Sequence, residues 1–149
     1  MIGIVRERVG FITITVVCAG VLIIFGALAL GMMAGLDADY IRPLATKSVS
    51  APIAIEIAEK TGAATPLKIL AVFSTGHPGA VFGPGILRLL QIKHDALQGL
   101  ILGVTSHAFG VASATEIGPR ATAFATIGMG LMGCFVALVV PFMLTLLLG

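Results

Sequence analysis

The chain has 149 residues, of which 58% are hydrophobic and 11% are charged, and its formal net charge is +2 at pH 7. A soluble domain carries about 25% charged residues, so this composition cannot cover a globule of this size with polar surface. It excludes a soluble enzyme, a nucleic-acid-binding protein and a disordered tail, and it predicts an all-α polytopic membrane protein.

The first predicted membrane helix is the uncharged run of residues 9–36. Arg6 and Arg8 precede this run, as basic residues precede the apolar part of a signal peptide. The apolar part of a signal peptide has roughly 7–15 residues, whereas a helix needs about 20 residues to cross a bilayer. The run has 28 residues, so we expect a retained spanning helix.

Two further segments predict spanning helices. Residues 121–149 form an uncharged run of 29 residues. Residues 69–87 form a run of 19 residues that glycine and proline interrupt at 76–79 and 83–84. Proline removes an internal hydrogen bond of a helix, so we expect this helix to be kinked or locally opened.

Residues 40–59 and 96–117 predict broken or re-entrant helices, which brings the total to about five membrane segments. Each is moderately apolar but has a polar interruption halfway along, at residues 46–52 in the first and 105–110 in the second. Irregular backbone at membrane depth is tolerated only where it lines a cavity or is buried in protein.

The two broken segments resemble each other at an offset of sixty residues, which indicates either an internal repeat or a chance match of similar compositions. The matching pairs are Ala54 with Ala114, Glu56 with Glu116 and Ile57 with Ile117. A true repeat would be typical of a transporter whose interrupted segments mark the binding site.

Lys47 is the most informative charge, because it lies inside a polar interruption rather than at a segment boundary. Pro52 suits the first turn of a helix, Ser50 suits its N-cap, and Ser48 adds a second hydroxyl. Backbone N–H groups and the helix dipole favour an anion there, and a small carboxylate is the natural ligand. The alternative is that Lys47 extends to the membrane surface and Ser50 only caps its own helix.

His107 occupies the corresponding place in the second broken segment. An imidazole there could relay a proton or pair with an anion, or it could be a hydrogen-bonded packing residue. Gly110 has a similar alternative as a helix-packing site. The predicted substrate-binding residues are Lys47, Ser48, Ser50, Pro52, Ser106, His107 and Gly110. We predict no catalytic residue, metal site or cofactor, because no known catalytic, zinc-binding or nucleotide-binding spacing occurs.

Three motifs resemble the LrgB/CidB family. Residues 46–54 are similar to its KSV-TTPIA signature, residues 79–84 to its GAVLGP stretch, and residues 99–110 to its GLALG run followed by SHAIGTA. Thr46 departs from the pattern, where proline is usual, as do residues 111–113, where Thr-Ala-Arg is usual. Residues 1–149 are expected to form a single LrgB-like membrane domain that resembles the C-terminal two-thirds of the usual family member, without its N-terminal helices.

The resemblance implies a multi-pass protein of the bacterial cytoplasmic (inner) membrane, or a plastid envelope relative. It implies either a carrier of small monocarboxylates, such as pyruvate, glycolate or glycerate, or a holin- or antiholin-like regulator of murein hydrolases and autolysis. The expected partners are the lipid bilayer, a small carboxylate anion, a small membrane protein of the LrgA/CidA type, and identical copies in a homo-oligomer; no nucleic acid is expected. The anion site predicted around Lys47 agrees better with the carrier.

Overall fold

The computed structural model describes residues 9–44, 47, 55–56 and 65–148 of the chain. Over these residues the structure consists of helices and turns, which agrees with the predicted all-α class. Four helices have more than twenty residues and one is short. They are α1 (Val9–Met33), the short α2 (Ala38–Leu44), α3 (Thr65–Leu89), α4 (Asp95–Ile117) and α5 (Pro119–Leu148).

Three of the described helices are long and apolar enough to cross a membrane, at Ile12–Met33, Asp95–Ile117 and Pro119–Met143. The first and the last correspond to the spans predicted from the uncharged runs. The sequence also predicts a spanning helix at α3, but α3 is not among the three. Glycines, His77 and two prolines dilute its apolar residues. It remains helical through Pro78 and Pro84.

The α4 helix contains a sharp break at His107, where φ is 44° and ψ is −128°. Gly110 lies so close to Leu102 that a Cβ added to the glycine would overlap the Leu102 carbonyl. In a straight helix, residues eight apart are separated by about 12 Å. The helix therefore folds back on itself, with an outgoing arm (residues 95–106), a tip at His107 and a return arm (residues 108–117). The broken helix predicted for this segment is confirmed.

Both ends of α4 consequently lie at the same end of the structure. Gln98 of the outgoing arm lines a common cleft with Ser113, Glu116 and Ile117 of the return arm. In a straight helix, residues 98 and 116 would lie about 27 Å apart. We call this end of the hairpin its base.

Glycine contacts hold the outgoing arm against α5. A Cβ on Gly99 would overlap the Ala121 carbonyl, and one on Gly103 would overlap the Ala125 carbonyl. From the first contact to the second, the residue number rises by four on each helix, so the outgoing arm and α5 run parallel. Buried apolar side chains of α1, α3 and α5 continue this core, among them Ile24, Val72, Met132, Val136 and Val140.

Candidate functional site

The tip of α4 packs on a face of α3 that carries glycine instead of larger side chains. A Cβ on Gly76 would overlap the rings of His107 and Phe109, and one on Gly79 would overlap the Ser106 hydroxyl. Because these two positions lack side chains, the imidazole lies directly against the α3 backbone. The glycines of α3 thus make the space in which the tip is seated.

His107 is the most buried titratable side chain at this tip, with 2% of its surface exposed. The backbone carbonyls of Val72 and Lys47 lie beside its ring. Its Nε2 atom, however, makes no hydrogen bond to any residue that the structure describes. Buried polar atoms are almost always hydrogen-bonded, so a role as a fully satisfied packing residue does not account for this nitrogen.

The backbone at His107 is strained as well as broken. A positive φ is uncommon for a residue with a side chain, and holding one costs about 1–3 kcal/mol. Such strain persists only where the surrounding structure enforces it, and it concentrates at functional sites. Here the contacts of Gly76 with the imidazole and of Gly110 with Leu102 enforce it.

Lys47 meets the tip of α4 from the first predicted broken segment. The hydroxyl of Thr75 on α3 donates a hydrogen bond of 2.8 Å to the Lys47 carbonyl. Lys47 is half-buried, and its ammonium is close enough to His107 to act on it electrostatically. The two basic residues singled out by the sequence, sixty positions apart, therefore lie together.

Two hydroxyls of the outgoing arm complete the polar groups at the tip. Ser106 is fully buried, and its Oγ lies 3.2 Å from Oγ1 of Thr105. Thr105 also donates a hydrogen bond of 2.8 Å to the Ile101 carbonyl. We call the set the tip cluster; its members are Lys47, Thr75, Thr105, Ser106 and His107.

The remaining predicted site residues divide into two groups. Gly110 lies between the two arms of α4, in the helix-packing role that the sequence left open for it. Ser48, Ser50 and Pro52 lie outside the described residues. The same holds for most of residues 40–59. The predicted internal repeat compares this segment with residues 96–117, so it stays a prediction.

Sequence reasoning missed the contribution of α3 to the site. Thr75 has no distinctive sequence signal, and Gly76 stands out only as part of the predicted interruption at residues 76–79. The importance of both follows from the residues that they contact. Phe109 was also missed: its ring centroid lies 5.7 Å from that of His107 and 4.1 Å from that of His77. The aromatic ring thus separates a buried imidazole from an exposed one.

The family model described as the LrgB-like family matches residues 1–146. The chain belongs to this family. Among its relatives, the holin-like protein CidB of Staphylococcus epidermidis is 32% identical over 112 residues, which cover 75% of this chain and 49% of that protein. The holin-like protein CidB of Staphylococcus aureus is 30% identical over 143 residues, which cover 95% of this chain and 62% of that protein.

An uncharacterized protein of Haemophilus influenzae is 30% identical over 133 residues, which cover 89% of this chain and 58% of the relative. This LrgB-like chain thus spans about half to three-fifths of the length of these curated relatives. No solved structure matches it significantly. The family inferred from the three sequence motifs is confirmed.

Proposed function

We propose that this LrgB-like protein carries small monocarboxylates, of the pyruvate, glycolate or glycerate type, across the bacterial cytoplasmic membrane. One observation carries the proposal: a buried imidazole nitrogen without a hydrogen-bond partner among the described residues, located at the break of an apolar helix. Interrupted helices that meet near the middle of the bilayer commonly form the substrate sites of transporters.

The depth of the tip supports this location. His107 lies twelve residues from Asp95, which corresponds to about 18 Å along the outgoing arm. The hydrocarbon core of a bilayer is about 30 Å thick. If the base of the hairpin lies at one membrane surface, the tip cluster lies near the midplane, where a carrier can expose it to either side in turn.

The chemistry of the tip cluster supports an anionic ligand. Lys47 contributes a positive charge beside His107, and Ser106 contributes a buried hydroxyl. A carboxylate would accept hydrogen bonds from both basic side chains, and charge-assisted bonds of this kind are the strong ones. The hydroxyls of Ser48 and Ser50 and the helix beginning near Pro52, predicted from the sequence, would complete the site.

The packing of the tip supports a small ligand. The imidazole and the Ser106 hydroxyl lie directly against backbone at Gly76 and Gly79. This arrangement favours a closely fitted site over a wide pore.

The alternative function is a holin-like regulator of murein hydrolase activity and autolysis, without transport of its own. The names of the CidB relatives favour it directly. In that function, contacts with a small LrgA/CidA-type membrane protein or with identical copies would be decisive, and the tip cluster would be dispensable.

Uptake of labelled pyruvate and glycolate into proteoliposomes distinguishes the two functions. We expect saturable uptake that falls about tenfold or more in Lys47→Ala and in His107→Gln, which corresponds to at least about 1.4 kcal/mol of lost binding. The matched controls Lys93→Ala and His94→Gln change exposed residues of the turn before α4 and should transport normally. Uptake that is undiminished in Lys47→Ala would contradict the anion site. Absence of uptake in the parent protein, with lysis control retained by both tip variants, would favour the regulator.

A further inference from the structure

A cleft of about 170 Å³ lies at the base of the α4 hairpin, between α3 and both arms of α4. Three elements supply its lining: Pro84 and Arg88 on α3, Gln98 on the outgoing arm, and Ser113, Glu116 and Ile117 on the return arm. A ligand held in this cleft would therefore contact α3 and the hairpin at the same time.

Arg88 and Glu116 give the cleft two opposite charges on different elements. Both side chains are exposed, and neither forms an ion pair or a hydrogen bond with the other or with any further residue that the structure describes. A guanidinium binds phosphate through two parallel hydrogen bonds, and a carboxylate accepts hydrogen bonds from an ammonium group. The cleft thus offers a partner to each end of a zwitterion, whereas a simple anion would pair with Arg88 alone.

Two hydrogen bonds hold the walls of the cleft in place. The Ser113 hydroxyl donates a hydrogen bond of 2.9 Å to the Ala80 carbonyl, which joins the return arm to α3. The Gln98 side-chain amide donates a hydrogen bond to the Ile92 carbonyl, which joins the outgoing arm to the turn before it. Because the walls are fixed before a ligand arrives, binding costs less conformational entropy.

The base of the hairpin has the charge distribution of a membrane surface. Residues 96–115 and 121–149 contain no Asp, Glu, Lys or Arg. The charged residues after position 87 lie at the base instead, and they are Arg88, Lys93, Asp95, Glu116 and Arg120. Charged side chains are costly inside the hydrocarbon core. The cleft therefore lies at the depth of the lipid headgroups.

An apolar surface continues from the cleft toward the tip of the hairpin. Val81 lies two turns before Arg88 on the same face of α3, and 69% of its surface is exposed. Ala112 lies one turn before Glu116 on the return arm and is also exposed. A charged cleft at the membrane surface with apolar side chains on its inner side matches the layout of a phospholipid, whose acyl chains extend inward from its headgroup.

We propose that the cleft binds the headgroup of phosphatidylethanolamine, a zwitterionic phospholipid with a primary ammonium group. Arg88 binds the phosphate, Glu116 accepts hydrogen bonds from the ammonium group, and the acyl chains lie along Val81 and Ala112. The bound lipid links α3 to the return arm and so stabilises the base of the hairpin. The cleft lies at the opposite end of the hairpin from the tip cluster, so this site does not depend on the proposed function.

Native mass spectrometry of the full chain, delipidated in detergent, measures the dissociation constant of the first bound lipid. The probes are dioleoyl phospholipids with ethanolamine, choline or glycerol headgroups. Choline keeps the positive charge but has no N–H to donate to Glu116, and glycerol has no positive charge. We expect the ethanolamine lipid to bind at least about threefold more tightly than the other two, because only it makes both charge-assisted contacts. Equal affinities for the ethanolamine and choline lipids would overturn the proposal.

Substitutions assign the preference to the two charged residues. Glu116→Gln should abolish the preference for ethanolamine over choline, and Arg88→Gln should weaken both lipids by a similar factor. The matched controls Lys93→Gln and Asp95→Asn change exposed charges at the base that do not line the cleft, and they should keep the ratio of the parent protein. Each ratio compares two lipids on one variant, so a loss of folded protein does not alter it. An unchanged preference in Glu116→Gln, or an equal loss in Asp95→Asn, would contradict the site.

Competition with soluble phosphoethanolamine distinguishes a lipid from a free zwitterion. This compound carries the same two charged groups without acyl chains, so at millimolar concentration it should leave the bound lipid in place. Displacement of the lipid would assign the cleft to a soluble zwitterion and overturn the lipid site.

Discussion

Replacing Gly110 with alanine tests the fold of α4 by adding a single methyl group. The Gly110 Cα faces the Leu102 carbonyl across the hairpin, and the new methyl would overlap the carbonyl oxygen and crowd the Ser106 Cβ at 3.0 Å. The carbonyl belongs to the backbone of the outgoing arm and cannot rotate away, so the arms must separate.

Overpacking of this kind costs about 1–3 kcal/mol. We expect a value in the upper half of that range, because separating the arms also exposes Leu102 and Ala114, which are almost fully buried. In a straight α4 the methyl would meet no carbonyl from Leu102. Alanine would then be more stable than glycine by about 0.5–1 kcal/mol, as in an ordinary helix. The hairpin and the straight helix therefore predict changes of opposite sign in the free energy of unfolding of Gly110→Ala.

The free energy of unfolding is measured by denaturation with sodium dodecyl sulfate in mixed micelles. Helix content is followed by circular dichroism, because the chain contains no tryptophan. Gly130→Ala is the matched control, since Gly130 lies in α5 with nothing within 4 Å of an added Cβ. Stability of Gly110→Ala equal to or above that of Gly130→Ala would refute the hairpin.

Two further substitutions test the seating of the tip cluster on α3. Thr75→Val removes the hydrogen bond to the Lys47 carbonyl and should cost about 1 kcal/mol and lower pyruvate uptake. Ser74→Ala removes only a hydrogen bond within α3, so it should lower neither the free energy of unfolding nor pyruvate uptake. Equal effects of Thr75→Val and Ser74→Ala would count against the contact between Thr75 and Lys47. Gly79→Ala should destabilise by about 1–3 kcal/mol, because its methyl overlaps the Ser106 hydroxyl. Adding Ser106→Ala should restore part of that loss, whereas simply additive free energies of unfolding would show that the two positions do not touch.

The break in α4 could be predicted from the sequence, but its geometry could not. Polar residues between Thr105 and Gly110 interrupt an apolar segment, and this pattern is enough to predict irregular backbone. Whether the chain bends, opens or reverses depends on the φ angle of His107 and on whether Gly110 can approach Leu102. Neither is encoded in a pattern of apolar and polar residues, since both depend on contacts between the arms.

The candidate site, too, could be predicted only in part from the sequence. Lys47 and His107 are conspicuous because they interrupt apolar segments, and the structure brings them together. The residues that seat them are not conspicuous. Thr75 is one of many helical threonines, and Gly76 reads as part of a helix interruption, although α3 is helical there. Their roles arise from tertiary contact with the tip of α4, which composition and spacing along the chain do not reveal.

The distance between the two ends of α4 tests the central claim most directly. Nitroxide labels at Asp95→Cys and Thr115→Cys, both exposed positions, are introduced into the reconstituted protein without Cys18 and Cys134, and dipolar electron paramagnetic resonance measures their separation. A straight helix would separate these positions by about 30 Å. Packed helix arms lie about 8–10 Å apart between axes, so the hairpin predicts a label separation below about 20 Å. A separation near that of the straight helix would show that α4 crosses without returning, and it would remove the tip on which the proposed anion site depends.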